Sequence, residues 1–496
     1  MSNPFNKVAR DFAVKMRSKV HKQSYSNSVM ERKARQLSPT GRLAVERITE
    51  LMALQQRHQR TFDPALRTEA TQILRTLPLL STDEDPLFIH TQRALRVAAY
   101  FDAVDLPTTY ALINQHTKNT FLLDAISMSS FFFTLAKMKH PQTAEIIAIL
   151  LPRLRELASD LIPREAVHIL RVLHRYSVED TKLIKTLTET VVNTVKDTPL
   201  LDVRQCAVIL ADTYPEEAKR ILIAAEKRLC DDIELNTNID EVKTTMMDVC
   251  RVVSLTCTAP RELLNSIARR SLDITPQLSQ LDISYILKAF HLSSYRHLRL
   301  FRVLSSSQAA RVSNTKTIPT AVGVSQDLTP TAVSMTIQAL AHFYVTGSEE
   351  VVLTLVNAVA NELEGLNFAL TLLACVRLQC ISKDYSSATD ILCGSPLRKY
   401  TLNAHSLQVT SRLLYALSQL GRCTSTTDIV NIQALLNSVL RARGPISDDV
   451  RSFLQDAVVT LDSNSECKDD AVRGLLVKVR ERLLCGRSGV SSSVPS

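Results

Sequence analysis

Residues 293–304 read SSYRHLRLFRVL. Tyr295, Arg299 and Arg302 recur at helical spacing with Arg296 beside them, so one helix face would carry an aromatic ring among guanidinium groups. Leu298, Phe301 and Leu304 would take the packed face. A guanidinium pairs with phosphate or stacks, and an aromatic ring stacks on an unpaired base. The same residue types concentrate in protein–protein hot spots, and a charged helix face can also simply meet water. Single-stranded RNA, an acidic protein partner and a solvated surface are therefore all open on residue type. Arg311 and Lys316 extend the basic region. Residues 256–316 hold nine basic and three acidic side chains, whereas residues 206–255 hold six and ten.

No other chemistry is legible. There is no phosphate-cradling G-x-x-x-x-G-K-[ST], no zinc-protease H-E-x-x-H and no nucleophile elbow G-x-S-x-G. The ten cysteines include no C-x-x-C pair, so they read as small buried residues in a reducing compartment rather than as zinc ligands or disulfides. His168 and His174 flank an apolar run and read as helix-surface residues. Glu179 and Asp180 sit where a helix start favours negative charge. The expectation is a protein that is not an enzyme, with no cofactor, no metal and no small-molecule substrate. No apolar run approaches the roughly 18 residues needed to span a membrane.

The elements that would position the stripe come from a repeat. ILRVLHRYSVEDTKLI (169–184) lies midway between FFFTLAKMKHPQTAEI (131–146) and AVILADTYPEEAKRIL (207–222), and the same pattern recurs through all three. Leu135, Leu173 and Ala211 share one column, Met138, Tyr176 and Tyr214 a second, and Ile146, Ile184 and Leu222 a third. Each unit is an apolar helical run, a polar turn and a second helical run. Pro141 and Pro215 stand at the turns, where a fixed φ and a missing N–H suit a helix start. Less regular copies occur on both sides, up to Leu340 and Leu417, which stand close to two periods apart. A fixed period of this length predicts an all-α fold: an α-solenoid of stacked helical hairpins, curved and elongated, with a period of about 38 residues. Only 10 glycines and no tryptophan in 496 residues agree with helix rather than with a glycine-rich α/β or β fold.

The expected organisation is a leader over 1–36, a helical-repeat array over 37–304, a flexible Ser/Thr-rich loop over 305–329 that splits the array, a second array over 330–485 and a disordered tail over 486–496. Residues 1–36 carry nine basic and two acidic residues, which leaves the rest of the chain at 50 against 48. The net charge of +9 is thus mostly a property of the leader. Phe5, Val8, Phe12, Met16 and Val20 would line one face of a helix there, with Lys7, Arg10 and Arg17 largely opposite. That is the profile of a mitochondrial transit peptide, or of a basic arm that binds RNA or a partner.

The units, and LLYALSQLG (413–421) and TLAKMKH (134–140) most clearly, resemble the degenerate repeats of mitochondrial RNA-processing proteins, the heptatricopeptide and octatricopeptide arrays. The likeness covers about residues 120–460 and rests on hydrophobic columns. The small tryptophan-bearing terminal domain of many such proteins is not expected, since the chain has no tryptophan. The basic leader with a tryptophan-free array is similar to subunits of kinetoplastid RNA-editing substrate-binding complexes. The resemblance implies a non-catalytic scaffold or RNA-binding subunit in the mitochondrial matrix, working among other protein subunits. A structural or assembly subunit of a mitochondrial ribosome, or a HEAT/armadillo-type adaptor, would share these features.

Overall fold

The computed structural model describes residues 37–485 apart from 86–87, 139, 316–328, 402–405, 422–424, 444 and 465–468. The leader 1–36, the tail 486–496 and Lys316 lie outside the described residues. Helix starts follow local chemistry. Ser38, Asp63, Asn238, Ser279, Thr329, Ser406 and Ser425 each accept a first-turn backbone N–H on the side-chain oxygen. Pro39, Pro64, Pro107, Pro163, Pro215 and Pro330 occupy first helical positions. Among the described residues no strand forms.

The described residues form two compact units, divided after Ile209: 37–209 and 210–485. The first contains α1 (Pro39–Thr61), α2 (Pro64–Arg75), α3 (Ile89–Tyr100), α4 (Pro107–Lys118), α5 (Ala125–Met138), α6 (Thr143–Leu157), α7 (Pro163–Arg175) and α8 (Thr181–Asn193), and ends in α9 (Leu200–Leu210). Odd and even helices pair as hairpins. α1, α3, α5 and α7 pack side by side as a first row, and α2, α4 and α6 pack as a second. α1 begins 50 residues before α3, and from α3 onward α3, α5, α7 and then α9 begin at residues 89, 125, 163 and 200, in steps of 36, 38 and 37. The expected period is therefore present here.

The second unit contains α10 (Pro215–Leu235), α11 (Ile239–Thr256), α12 (Arg261–Asp273), α13 (Gln280–Leu292), α14 (Leu298–Thr315), α15 (Pro330–His342), α16 (Glu349–Val359), α17 (Gly365–Gln379), α18 (Ser386–Cys393), α19 (Ser395–Thr401), α20 (Leu407–Gln419), α21 (Thr426–Arg441), α22 (Asp448–Ser463) and α23 (Asp470–Cys485). Its first row is α11, α13, α15, α17, α20 and α22. Its second runs through α10, α12, α14, α16, the short pair α18 and α19, then α21 and α23. Each unit is thus an α-solenoid arrangement of stacked hairpins.

The columns are core because neighbouring hairpins cover each other. Leu135, Leu173 and Ala211 are buried, as are Ile146, Ile184 and Leu222. The middle column is mixed: Met138 is buried, while Tyr176 and Tyr214 are half-buried at turns. Several turns share one device. Asp102, Ser177, Ser294 and Tyr344 take left-handed φ values of 51–57°. The next residue donates its N–H back across the turn, as in Ala103 to Ala98 (2.8 Å), Val178 to Leu173 (2.9 Å), Tyr295 to Phe290 (3.0 Å) and Val345 to Leu340 (3.1 Å). This is the Schellman closure, which satisfies helix-end carbonyls and tucks an apolar residue under the helix. The chain achieves it with few glycines.

Two boundaries differ from expectation. Residues 305–315 are not loop: they complete α14, with Ser305, Gln308, Ala309 and Val312 buried. Ser305 and Ser313 donate to the carbonyls of Arg302 and Ala309 on their own helix, and Gln308 enters a buried polar network. Gln308 Nε2 donates to Ser284 Oγ (3.1 Å), and Thr336 Oγ1 donates to Gln308 Oε1 (2.8 Å), joining α13, α14 and α15. Polar side chains satisfied inside a core read as loop in a linear scan, since partners arrive from other helices. The array is also not split at 305–329, because α13 packs on α15 and α14 on α16 across it. The division into units falls after Ile209 instead.

Candidate nucleic-acid interface

The structure breaks up the 293–304 stripe. Tyr295 and Arg296 precede α14, which begins at Leu298, so Tyr295 does not share a helix face with Arg299 and Arg302. The physical reason is the Schellman turn: Tyr295 is its tucked residue. Its hydroxyl donates to Asn265 Oδ1, its ring meets Phe290 edge-on at 5.7 Å, and the Arg261 guanidinium lies 5.9 Å from the ring centre. Arg296 and Arg299 are exposed. Arg302 Nη2 donates to the Thr346 carbonyl at 3.3 Å. Phe301 and Leu304 are buried as expected, and Leu298 is half-buried.

Arg311 has a structural task. It donates to the carbonyls of Leu278, Thr275 (2.9 Å) and Pro276 (3.4 Å), in the connection from α12 to α13. The same arrangement recurs in both units. Gln115 reaches the Leu80 carbonyl (2.7 Å), Arg153 that of Leu123 (3.4 Å), Arg270 that of Asn236 (3.0 Å), Lys399 that of Asn361 (3.3 Å) and Arg482 that of Leu440 (2.7 Å). In each case a long donor on a second-row helix bonds orphan carbonyls where the preceding hairpin hands over to the next. Arg311→Ala should therefore lower stability by about 1.5–3 kcal/mol, the worth of charge-assisted bonds to carbonyls. Arg299→Ala should lower it by less than about 0.5 kcal/mol. Urea unfolding followed by circular dichroism checks the pair, and equal losses would reject the assignment.

A different cationic and aromatic surface lies on the first row of the first unit. Arg96 is on α3; Ser130, Phe133 and Lys137 are on α5; Arg164, His168, Arg171 and Arg175 are on α7; Gln205 is on α9. The spacings 130, 133, 137 and 164, 168, 171, 175 each keep to one helix face. Side chains link the helices in sequence. Arg96 Nε donates to Ser130 Oγ at 3.1 Å. The Phe133 and His168 rings stack at 4.9 Å with planes 20° apart. Arg171 donates to Gln205 Oε1. Lys137 Nζ stands 4.6 Å from the Phe133 ring centre. Arg175 Nη1 donates to the Ala136 carbonyl at 3.1 Å.

Desolvation, then Arg164 and Arg171, hold the His168 imidazole below its usual range; Asp202 opposes this and Lys137 adds to it. The surface therefore combines fixed positive charge with a half-exposed, neutral stacked ring pair. That combination can pair phosphates and stack a base. The linear charge scan missed it because its cations are dealt out one repeat at a time. The signal was present as register: Ser130, Phe133 and Lys137 have His168, Arg171 and Arg175 as their counterparts one repeat later.

Among the described residues, no group of three or more His, Cys, Asp or Glu side chains is placed to hold a metal ion. Cys206, Cys250, Cys375 and Cys393 are buried free thiols, whereas Cys257 and Cys380 are exposed. Burial pushes the thiols of Cys250 and Cys375 up to about 12, far from a reactive thiolate. No described helix is long and apolar enough to cross a membrane.

No family model and no curated protein matches the chain. Among solved structures, an engineered protein is 12% identical over 89% of this chain and 99% of its own, with a TM-score of 0.28. A circular tandem repeat protein with novel repeat topology and enhanced subunit contact surfaces is 13% identical over 90% of this chain and 94% of its own, with a TM-score of 0.18. At such TM-scores neither likeness bears on fold or function, and the fold rests on the helices described above.

Proposed function

We propose that this chain is a non-catalytic helical-repeat scaffold that holds single-stranded RNA on the first-row face of its first unit, as a subunit of a mitochondrial RNA-processing assembly. The observation that carries this reading is the Phe133–His168 ring stack set among Arg96, Lys137, Arg164 and Arg171. Stacked rings favour unpaired bases, and cations on neighbouring helices favour a backbone that crosses them. The basic leader composition supports the mitochondrial compartment.

Fluorescence anisotropy with a labelled single-stranded RNA tests the reading on the full chain. Binding should be measurable, and weaker for a duplex of equal length. Phe133→Ala should cost about 1–3 kcal/mol of affinity with little change in salt dependence, as expected when a ring rather than a charge is lost. Unchanged affinity in that variant, or equal affinity for duplex and single strand, would reject the interface.

A further inference from the structure

The second unit carries an unrelated cluster at the ends of three successive first-row helices. His291 is the penultimate residue of α13 and His342 the last of α15, and their ring centres lie 4.5 Å apart with planes at 47°. Lys288 precedes His291 by one turn on the same face. Arg377, near the end of α17, stands close enough to act on both rings. Among the described residues, none of these four side chains forms a hydrogen bond or ion pair. This contrasts with Arg302 and Arg311 of the same unit, whose guanidinium groups are held by carbonyls.

The charges acting on His291 are Lys288 of its own helix, His342 of α15 and Arg377 of α17; Arg377 acts on His342. All are cationic. The other helices packed on α13 and α15, namely α11, α14, α16 and α17, contribute no carboxylate to either ring. Burial first, then these cations, hold both imidazoles below their usual range, His291 at about 4. A single cation at a helix C-terminus answers the helix dipole. Here the dipole favours protonated rings and opposes an anion, so an anion would have to be held by Lys288 and Arg377 against it.

We propose that Lys288, His291, His342 and Arg377 form a phosphate-binding site, filled by phosphate groups of an RNA strand, and that filling it draws protons onto the paired imidazoles. The identity of the strand rests on the function proposed above; the phosphate chemistry does not. An anion beside the rings reverses the repulsion that keeps them neutral, and each protonated ring then offers two N–H donors. A phosphate suits this better than a lone carboxylate because it presents more acceptor oxygens to the two rings and to the Lys288 and Arg377 charges that act on them. The bound state holds more protons than the free state. Affinity should therefore rise as pH falls, by at most about tenfold per pH unit for each proton taken up. It should level off as pH nears the ring values of the free protein.

The test uses the full chain and inorganic pyrophosphate, titrated calorimetrically at pH 6.0 and 7.5 in two buffers of different ionisation heat. The expected result is tighter binding at pH 6.0 with net proton uptake. The uptake should be lost in His291→Gln/His342→Gln, and binding should weaken in Arg377→Ala, an exposed position where folding is safe. No pyrophosphate binding, binding without proton uptake, or uptake that survives in the double variant would overturn the site. With single-stranded RNA, the double variant should lose pH dependence that Phe133→Ala retains. Pyrophosphate binding with proton uptake but no RNA binding would overturn the RNA occupant and the proposed function, while the phosphate site stands. An acidic peptide displacing pyrophosphate more strongly than RNA would likewise overturn the RNA occupant.

Discussion

Leu173→Ala should destabilise the first unit by about 2–5 kcal/mol, the range for truncating a fully enclosed leucine. Leu173 is 0% exposed. It also supplies the carbonyl that closes the turn at Val178, so the side chain and the turn share one packing environment. Rows of helices covered on both sides leave little room to collapse into the cavity, which places the cost in the upper part of the range. Arg175, on the same helix, is exposed and bonded only to the Ala136 carbonyl and its own neighbour's ring. Arg175→Ala should cost less than about 1 kcal/mol. Urea unfolding of the two variants side by side gives the comparison. Equal losses would mean that the repeat register places these residues wrongly.

Reversing charge at Lys137, Arg164 and Arg171 together should remove most RNA affinity from a chain that still folds. Arg164 and Lys137 are exposed and Arg171 is half-buried, with Gln205 as its side-chain partner. If each cation meets one phosphate, the slope of log affinity against log salt should fall by about 2, at roughly 0.7 per contact for a single strand. Loss of about 1 kcal/mol or more per contact amounts to roughly a hundredfold weaker binding. The Glu variants add repulsion to that loss. Salt titrations of binding separate this outcome from the Phe133→Ala result, in which affinity falls and the slope stays. A triple variant with normal RNA affinity and slope would place the RNA elsewhere or nowhere on this unit.

These experiments divide along the line between local and long-range information. Helix type, some helix starts and the first unit's hairpin period were legible because each depends on residues within one or two turns: Asp180 capping α8, Pro215 opening α10, apolar columns at 135, 173 and 211. The core columns were legible for the same reason, since helical periodicity makes one face apolar before any neighbour is present. What stayed hidden was each polar side chain's partner. Arg311 looked like part of a binding stripe, yet the carbonyls it bonds belong to Thr275, Pro276 and Leu278, a full hairpin earlier. Tyr295 had helical spacing to Arg299, but a left-handed Ser294 ended one helix before the next began.

By itself the sequence determined a helical chain of stacked hairpins, with the expected period holding over 89–200 but not in the second unit, whose first-row helices start at 239, 280, 330, 365, 407 and 448, because backbone propensity, capping and apolar periodicity are local and add along the chain. Only the tertiary structure decided which cations are structural and which face solvent together. Stacking lays corresponding positions of successive hairpins side by side, as Arg96 meets Ser130 and Phe133 meets His168. It equally brings His291 against His342 although α14 and residues 316–328 intervene in the chain. A surface built from one residue per hairpin has no contiguous trace in the chain, so its charge and its rings converge only when the hairpins pack.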